Sequence, residues 1–188
     1  MVRIYCVEDL SIEEIPILQE EIRKGLADPD YVVVTNFPIE ILDVPDGAAV
    51  TSDVDEEMTE YLRTEMEKAR ADKDYVAVFP FWVTAGPVIY RVEGVRVYVA
   101  EDMDDKLVKD LQDRIKRAYA DPKYNLVTNF VVEAVEVPDG AMLTAVDADD
   151  EQADFLGREL AQARANKNYV MVTPFPIKVG PIFRREED

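Results

Sequence analysis

The chain has 188 residues, 48% of them apolar and 32% charged, which excludes a wholly disordered protein and allows one medium domain or two small ones. Its net charge of −19 excludes ordinary binding to nucleic-acid backbones, because like charges repel. The chain has no histidine and a single cysteine, Cys6, which removes the usual general base and commonest metal ligand and excludes an intrachain disulfide.

The N-terminal residues predict a strand followed by a helix. Arg3–Val7 is typical of a short strand, and isoleucines and leucines at helical spacing follow it. Ser11 and Glu14 match a capping box. Pro16 favours a kink or a helix start near Ile15, since proline is tolerated only in the first turn.

The residues after this helix predict a long strand, a hairpin and a second helix. Asp28-Pro29 predicts the end of the first helix. Tyr31–Val44 predicts one long strand, which Pro45-Asp46-Gly47 turns into Ala48–Thr51. The second helix is expected to start near Asp53, with Glu56 three residues later, and Tyr75–Thr84 is expected to close the half as a strand.

The chain is an internal duplication. Val2–Thr51 aligns with Val95–Thr144 without a gap, and nearly half of the aligned residues are identical. One extra residue near Ala145–Asp149 then shifts the alignment, after which Tyr75 corresponds to Tyr169. A weaker repeat inside each half, seen where Tyr31 and Tyr75 follow similar residues, gives four strand-helix-strand units in all.

These elements predict an α+β fold of two tandem ferredoxin-like (βαββαβ) halves, residues 1–93 and 94–188, related by a pseudo-twofold axis. Val88–Val92 and Val95–Ala100 flank Glu93-Gly94, which is typical of a two-residue hairpin. The tail of the first half would then pair with the second half. By symmetry, the C-terminal tail at 181–184 is expected to pair with Arg3–Val7, so that the halves exchange tails and cover sheet edges.

The alternation of side chains along the strands predicts a polar cleft between the halves. Ile4 and Cys6 suit the side of the strand that faces the helices, and Tyr31–Val44 is apolar on both faces. We therefore expect the helix-free sheet faces to cover each other. The candidate ligand-binding residues are Arg3, Tyr5, Asn36 and Glu40 with their copies Arg96, Tyr98, Asn129 and Glu133. The alternative is structural, with Arg3 pairing with Glu40 across a packed interface.

Two acidic runs, at residues 53–57 and 147–151, have two interpretations. Carboxylates bind Ca²⁺ or Mg²⁺, but these runs lack the glycine and distal glutamate of an EF-hand. Both runs precede predicted helices, where carboxylates cap the N-terminus. Capping is favoured, and the sequence predicts neither a metal nor a cofactor.

The residues favour a non-catalytic protein. Cys6 lies in a predicted central strand, and no glycine-rich phosphate loop is present. We expect an acidic protein, monomeric or a small homo-oligomer, that binds a small anionic or nucleotide-like ligand in the cleft. One alternative is an inhibitor or nucleic-acid mimic of the phage or mobile-element accessory type, bound to a basic partner, and another is an assembly subunit. No membrane span or signal peptide is predicted, and a cytoplasmic location is expected.

Overall fold

A computed structural model describes residues 1–147 and 149–183. It divides the chain into two compact units, Met1–Val88 with Lys123–Phe130, and Ile89–Pro122 with the described residues from Val131 onward. The first unit contains β1 (Val2–Cys6), α1 (Ile15–Ala27), β2 (Glu40–Val44), β3 (Ala48–Thr51), α2 (Glu56–Ala71), β4 (Ala77–Phe79), β5 (Thr84–Val88) and, from the second repeat, β7 (Leu126–Thr128). The second unit contains β6 (Val95–Val99), α3 (Asp105–Ala120), β8 (Glu133–Val137), β9 (Ala141–Ala145), α4 (Asp150–Ala165), β10 (Met171–Thr173) and β11 (Ile177–Ile182).

The strands form small sheets, which are mixed except for the antiparallel pair β11-β9. In the first unit the orders are β2-β1-β4 and β5-β3-β7, and in the second they are β8-β6-β10 and β11-β9. The α+β prediction with repeated strand-helix-strand units is consistent with this arrangement. The tandem ferredoxin-like fold is not confirmed. The division into halves at residues 93 and 94 and the pseudo-twofold axis stay predictions.

The predicted exchange of tails between the halves is wrong. The expected hairpin partners do not pair, because β5 pairs with β3 whereas β6 pairs with β8 and β10. The C-terminal strand β11 pairs with β9 and not with β1, and Arg184 lies outside the described residues. The strand that pairs with the other repeat is instead β7. It runs parallel to β3, with Val127 opposite Val50.

The predicted long strands are broken in the structure. Of Tyr31–Val44, only Glu40–Val44 is a strand, and residues 36–37 form a bend. Tyr75–Thr84 is divided between β4 and β5, with Pro80 in the gap. Proline offers no N–H for a strand ladder, and the second interruption lets Tyr75–Thr84 pair with two different strands, β1 through β4 and β3 through β5.

Helices cover both faces of β1, so the expectation that helix-free sheet faces cover each other is wrong. As predicted, Ile4 and Cys6 face a helix, and they share a buried cluster with Leu62 of α2. Tyr5 points the other way and packs with Leu18 of α1. Alternating residues of one central strand therefore serve two cores.

The helix starts lie near the predicted positions, although α2 begins at Glu56, three residues after the predicted Asp53. The acidic runs cap helices, as expected, because Asp55 Oδ1 accepts a hydrogen bond from Met58 N at 2.9 Å and Asp149 Oδ1 accepts one from Gln152 N at 2.8 Å. Helix α1 begins at Ile15 with a proline in its first turn. This is the start that Pro16 predicted. The capping box at Ser11 and Glu14 would have placed the start earlier.

Candidate functional site

The structure places the eight predicted site residues in different environments. Arg3 and Tyr5 lie on β1, and Arg96 and Tyr98 lie on β6. The remaining four, Asn36, Glu40, Asn129 and Glu133, are exposed. Each unit instead contains a pocket of its own, at the start of its central strand.

The first pocket, of about 590 Å³, lies between the start of β1 and the ends of α1 and α2, with Arg3 in its wall. The predicted pair of Arg3 with Glu40 is wrong, because the register places Asp43 opposite Arg3 and Glu40 opposite Cys6. Arg3 Nε and Nη2 donate to the two Asp43 carboxylate oxygens at 2.7 and 2.9 Å. These hydrogen bonds lower the pKa of Asp43 and raise that of Arg3.

The second pocket, of about 260 Å³, lies at the equivalent place in the second unit. Its cationic lining residues are Arg91, Arg96, Arg164 and Lys167, and its anionic ones are Glu93 and Asp139. The pocket thus carries an excess of positive charge in a chain whose net charge is −19.

Arg96 differs from its copy Arg3 in having no ion pair with a described carboxylate. Glu136 stands opposite Arg96 in the β6–β8 ladder, yet its Oε1 accepts a hydrogen bond from the Tyr90 hydroxyl at 3.2 Å. The Arg96 guanidinium lies over the Tyr90 ring, 4.1 Å from its centroid. Its Nε is buried, and none of the described residues accepts a hydrogen bond from it. A buried donor in this state costs free energy, and the guanidinium that carries it belongs to a residue that lines the pocket.

A second arginine is fixed beside this pocket. Arg91 lies 5.0 Å from the centroid of the Tyr119 ring. Its Nη1 donates to Lys167 O at 3.1 Å and to Asn168 Oδ1 at 2.9 Å. Stacking and hydrogen bonds hold the guanidinium in place, so binding an anion there would order few further side-chain torsions.

Tyr98 belongs to the core. It is fully buried, and its hydroxyl lies 2.9 Å from the hydroxyl of Tyr119 on α3. Burial is the largest cause that raises the pKa of Tyr98, so the phenol stays neutral at physiological pH. Tyr98 is therefore a core residue, and it does not belong to the lining of the second pocket.

Sequence reasoning missed the basic residues at the helix ends. The first half has Arg70-Ala-Asp-Lys73-Asp-Tyr and the second has Arg164-Ala-Asn-Lys167-Asn-Tyr. The repeat kept both cations and replaced both aspartates with asparagine, which makes the second copy more basic. That change was visible in the sequence, but its position beside Arg96 was not.

Cys6 is buried among the first unit's core residues, and burial raises the pKa of its thiol to about 11. Because the thiolate is the nucleophile, we expect no reaction of native protein with a disulfide reagent such as DTNB at pH near 8. The unfolded protein in denaturant should react at once. Rapid labelling of the native protein would contradict the burial of this residue.

Comparison with known proteins gives no relative, since no protein-family model, curated protein or solved structure matches this chain. Within residues 1–147 and 149–183, no cluster of acidic or cysteine side chains is arranged to hold a metal ion. None of the helices in that part of the chain has the length and apolarity needed to cross a bilayer.

Proposed function

We propose that the protein is a non-catalytic binder of a small anion, such as a phosphate or a small phosphorylated metabolite, and that the second pocket is the binding site. The observation that carries this proposal is Arg96, whose buried Nε has no acceptor among the described residues, in a pocket whose charged lining residues are mostly cations. Arginine suits this role because its guanidinium offers several donors in one plane to phosphate oxygens.

The pocket's size restricts the ligand. Its volume of about 260 Å³ lies below the range of about 300–1,000 Å³ that holds drug-sized molecules. A compact oxyanion or short phosphate ester matches this space better than a whole nucleotide does. The ligand thus contacts one unit, where the sequence suggested a cleft shared by two halves.

The non-catalytic part of the proposal follows from the reactive groups. The sequence has no histidine, and its only thiol is buried with a raised pKa. The cytoplasmic location stays a prediction. A basic protein partner is the competing function, and it predicts salt-sensitive association without any effect of small anions.

Phosphate is expected to raise the melting temperature of the protein, because a ligand that binds only the folded state stabilises it by about 2.7 kcal/mol at a hundredfold excess over Kd. The measurement is thermal melting with added phosphate, against sodium chloride of equal ionic strength. Arg96→Ala and Lys167→Ala should each reduce the shift.

Arg3→Ala and Lys73→Ala are the matched controls, because they remove the equivalent cations from the first pocket. Both should keep the full phosphate-dependent shift. A shift that survives in Arg96→Ala, or one that chloride reproduces, would remove the second pocket from consideration.

A further inference from the structure

Among the described residues, strand β9 of the second unit is paired along one edge alone. The central strands β1, β3 and β6 each lie between an antiparallel strand and a parallel one. Strand β9 holds the equivalent position in the fourth strand-helix-strand repeat. Among the described residues it pairs only with β11. Its other edge presents unpaired backbone donors and acceptors, which in a sheet are a template for another strand.

One segment in the first unit has the sequence of the missing strand. The parallel strands β4, β7 and β10 each begin two residues after a tyrosine, namely Tyr75, Tyr124 and Tyr169. Tyr31 is the corresponding residue of the first repeat unit. Residues 33–35, which follow it at the same spacing, form no strand.

The exposure of this segment contrasts with that of its copies. Every residue of β4, β7 and β10 is buried. Val34 is 85% exposed, although its copy Val127 is 1% exposed. An exposed valine beside a second one, Val32 at 75%, is an apolar surface that pairing with another strand would bury.

The chain presents this segment in the same way as its copies. The Tyr31 hydroxyl donates to Glu21 in α1, as the Tyr75 hydroxyl donates to Glu65 in α2 at 2.5 Å. The backbone turn is also the same, with Tyr31 N donating to Asp28 O at 3.0 Å. The segment is therefore held in position for pairing by its own helix.

The unpartnered edge of β9 borders an apolar groove of about 330 Å³ between β9 and α4. Leu143, Leu156 and Leu160 line it. In the first unit their counterparts are Val50, Leu62 and Met66, which belong to one buried cluster with Val127 of β7. The groove beside β9 is thus the counterpart of the place that Val127 fills beside β3.

We infer that a second copy of this chain fills the groove, and that its residues 33–35 add to β9 as a parallel strand. The β3–β7 register transfers directly, placing Val33, Val34 and Thr35 of one copy opposite Met142, Leu143 and Thr144 of the other. Each copy donates one strand and accepts one, so the contact is heterologous and builds head-to-tail chains or rings.

The association is expected to be weaker than the internal pairing. Asn125 Nδ2 donates to Pro45 O at 3.1 Å and to Ala48 O at 3.0 Å beside β7, and its copy in the donor segment is Val32, which has no side-chain donor. The net charge of −19 also opposes contact between copies. Assembly should therefore increase with protein concentration and with salt, which screens the repulsion.

Sedimentation velocity and light scattering test the inference with two variants. Val34→Asp blocks the donor strand. Gly157→Trp places a large side chain at the groove, and a Cβ at Gly157 meets no atom within 4 Å, so the side chain starts from open space. Wild-type protein should gain mass with concentration, and each variant alone should stay a monomer.

Mixing the two variants gives the decisive result. Val34→Asp keeps an intact acceptor edge and Gly157→Trp keeps an intact donor, so the mixture should form a dimer of one copy each and grow no further. A wild-type protein that stays monomeric at high concentration and high salt overturns the inference. So does a mixture that contains only monomers.

Val131→Asp is the control, since it places the same charge on a valine that is 66% exposed outside the donor segment and the groove. It should assemble like the wild type. Val34→Lys supplies a donor block of opposite charge, which separates loss of pairing from added repulsion. If Val34→Lys assembles like the wild type, the donor assignment is wrong.

Discussion

Replacing Val127 with aspartate is expected to lower the free energy of unfolding of the first unit by more than about 3 kcal/mol, because it buries a carboxylate without a partner. Val127 is 1% exposed and packs in one cluster with Val50 and Leu62. Denaturant unfolding followed by the fluorescence of Trp82, which lies in the same unit, measures the change.

Val34→Asp is the matched control for this experiment, because Val34 occupies the equivalent position in the other repeat and is 85% exposed. At concentrations where the protein is monomeric, its effect should stay within about 0.5 kcal/mol, as for most surface substitutions. Equal effects of the two substitutions would contradict the placement of β7 beside β3.

Replacing Tyr98 with alanine is expected to destabilise the second unit by about 3–5 kcal/mol, the usual cost of removing a buried aromatic side chain. Tyr98 is fully buried, and its hydroxyl forms a hydrogen bond with the hydroxyl of Tyr119. Tyr98→Phe keeps the ring and removes the hydroxyl, so a loss of about 1 kcal/mol is expected. Far-UV circular dichroism during chemical denaturation follows both variants.

The neighbouring ring provides the control. Tyr90 is 49% exposed and lies over Arg96, so Tyr90→Ala should cost under about 1 kcal/mol, the range of an exposed cation–π contact. The phosphate-dependent shift should persist in Tyr98→Phe and weaken in Tyr90→Ala. The reverse order would place Tyr98 in the ligand site after all.

Local patterns in the sequence predicted the helices well. The spacing of Ile15, Leu18 and Ile22 and the capping by the two acidic runs depend on residues a few positions apart. Apolar periodicity and capping chemistry act within one turn, so they were visible without any knowledge of the fold.

The strand partners were beyond reach for a physical reason. Residues 126–128 are as apolar as residues 33–35, yet only the former pair with a strand. Nothing within either segment distinguishes them. The difference is that other strand-helix-strand repeats precede residues 126–128 in the chain, whereas residues 33–35 belong to the first repeat. The same limit applies to the site, where the positions of Arg91, Arg164 and Lys167 around Arg96 depend on how separate elements pack.

The position of β7 in the first unit also fixes the order of events during synthesis. Thr51 pairs with Thr84 after one helix, but its parallel partner Thr128 leaves the ribosome much later. A nascent chain that has reached Val88 therefore holds an incomplete unit with one sheet edge bare, and such edges are prone to aggregation. A fragment cut at the boundary between the two repeats would be left in that unfinished state permanently.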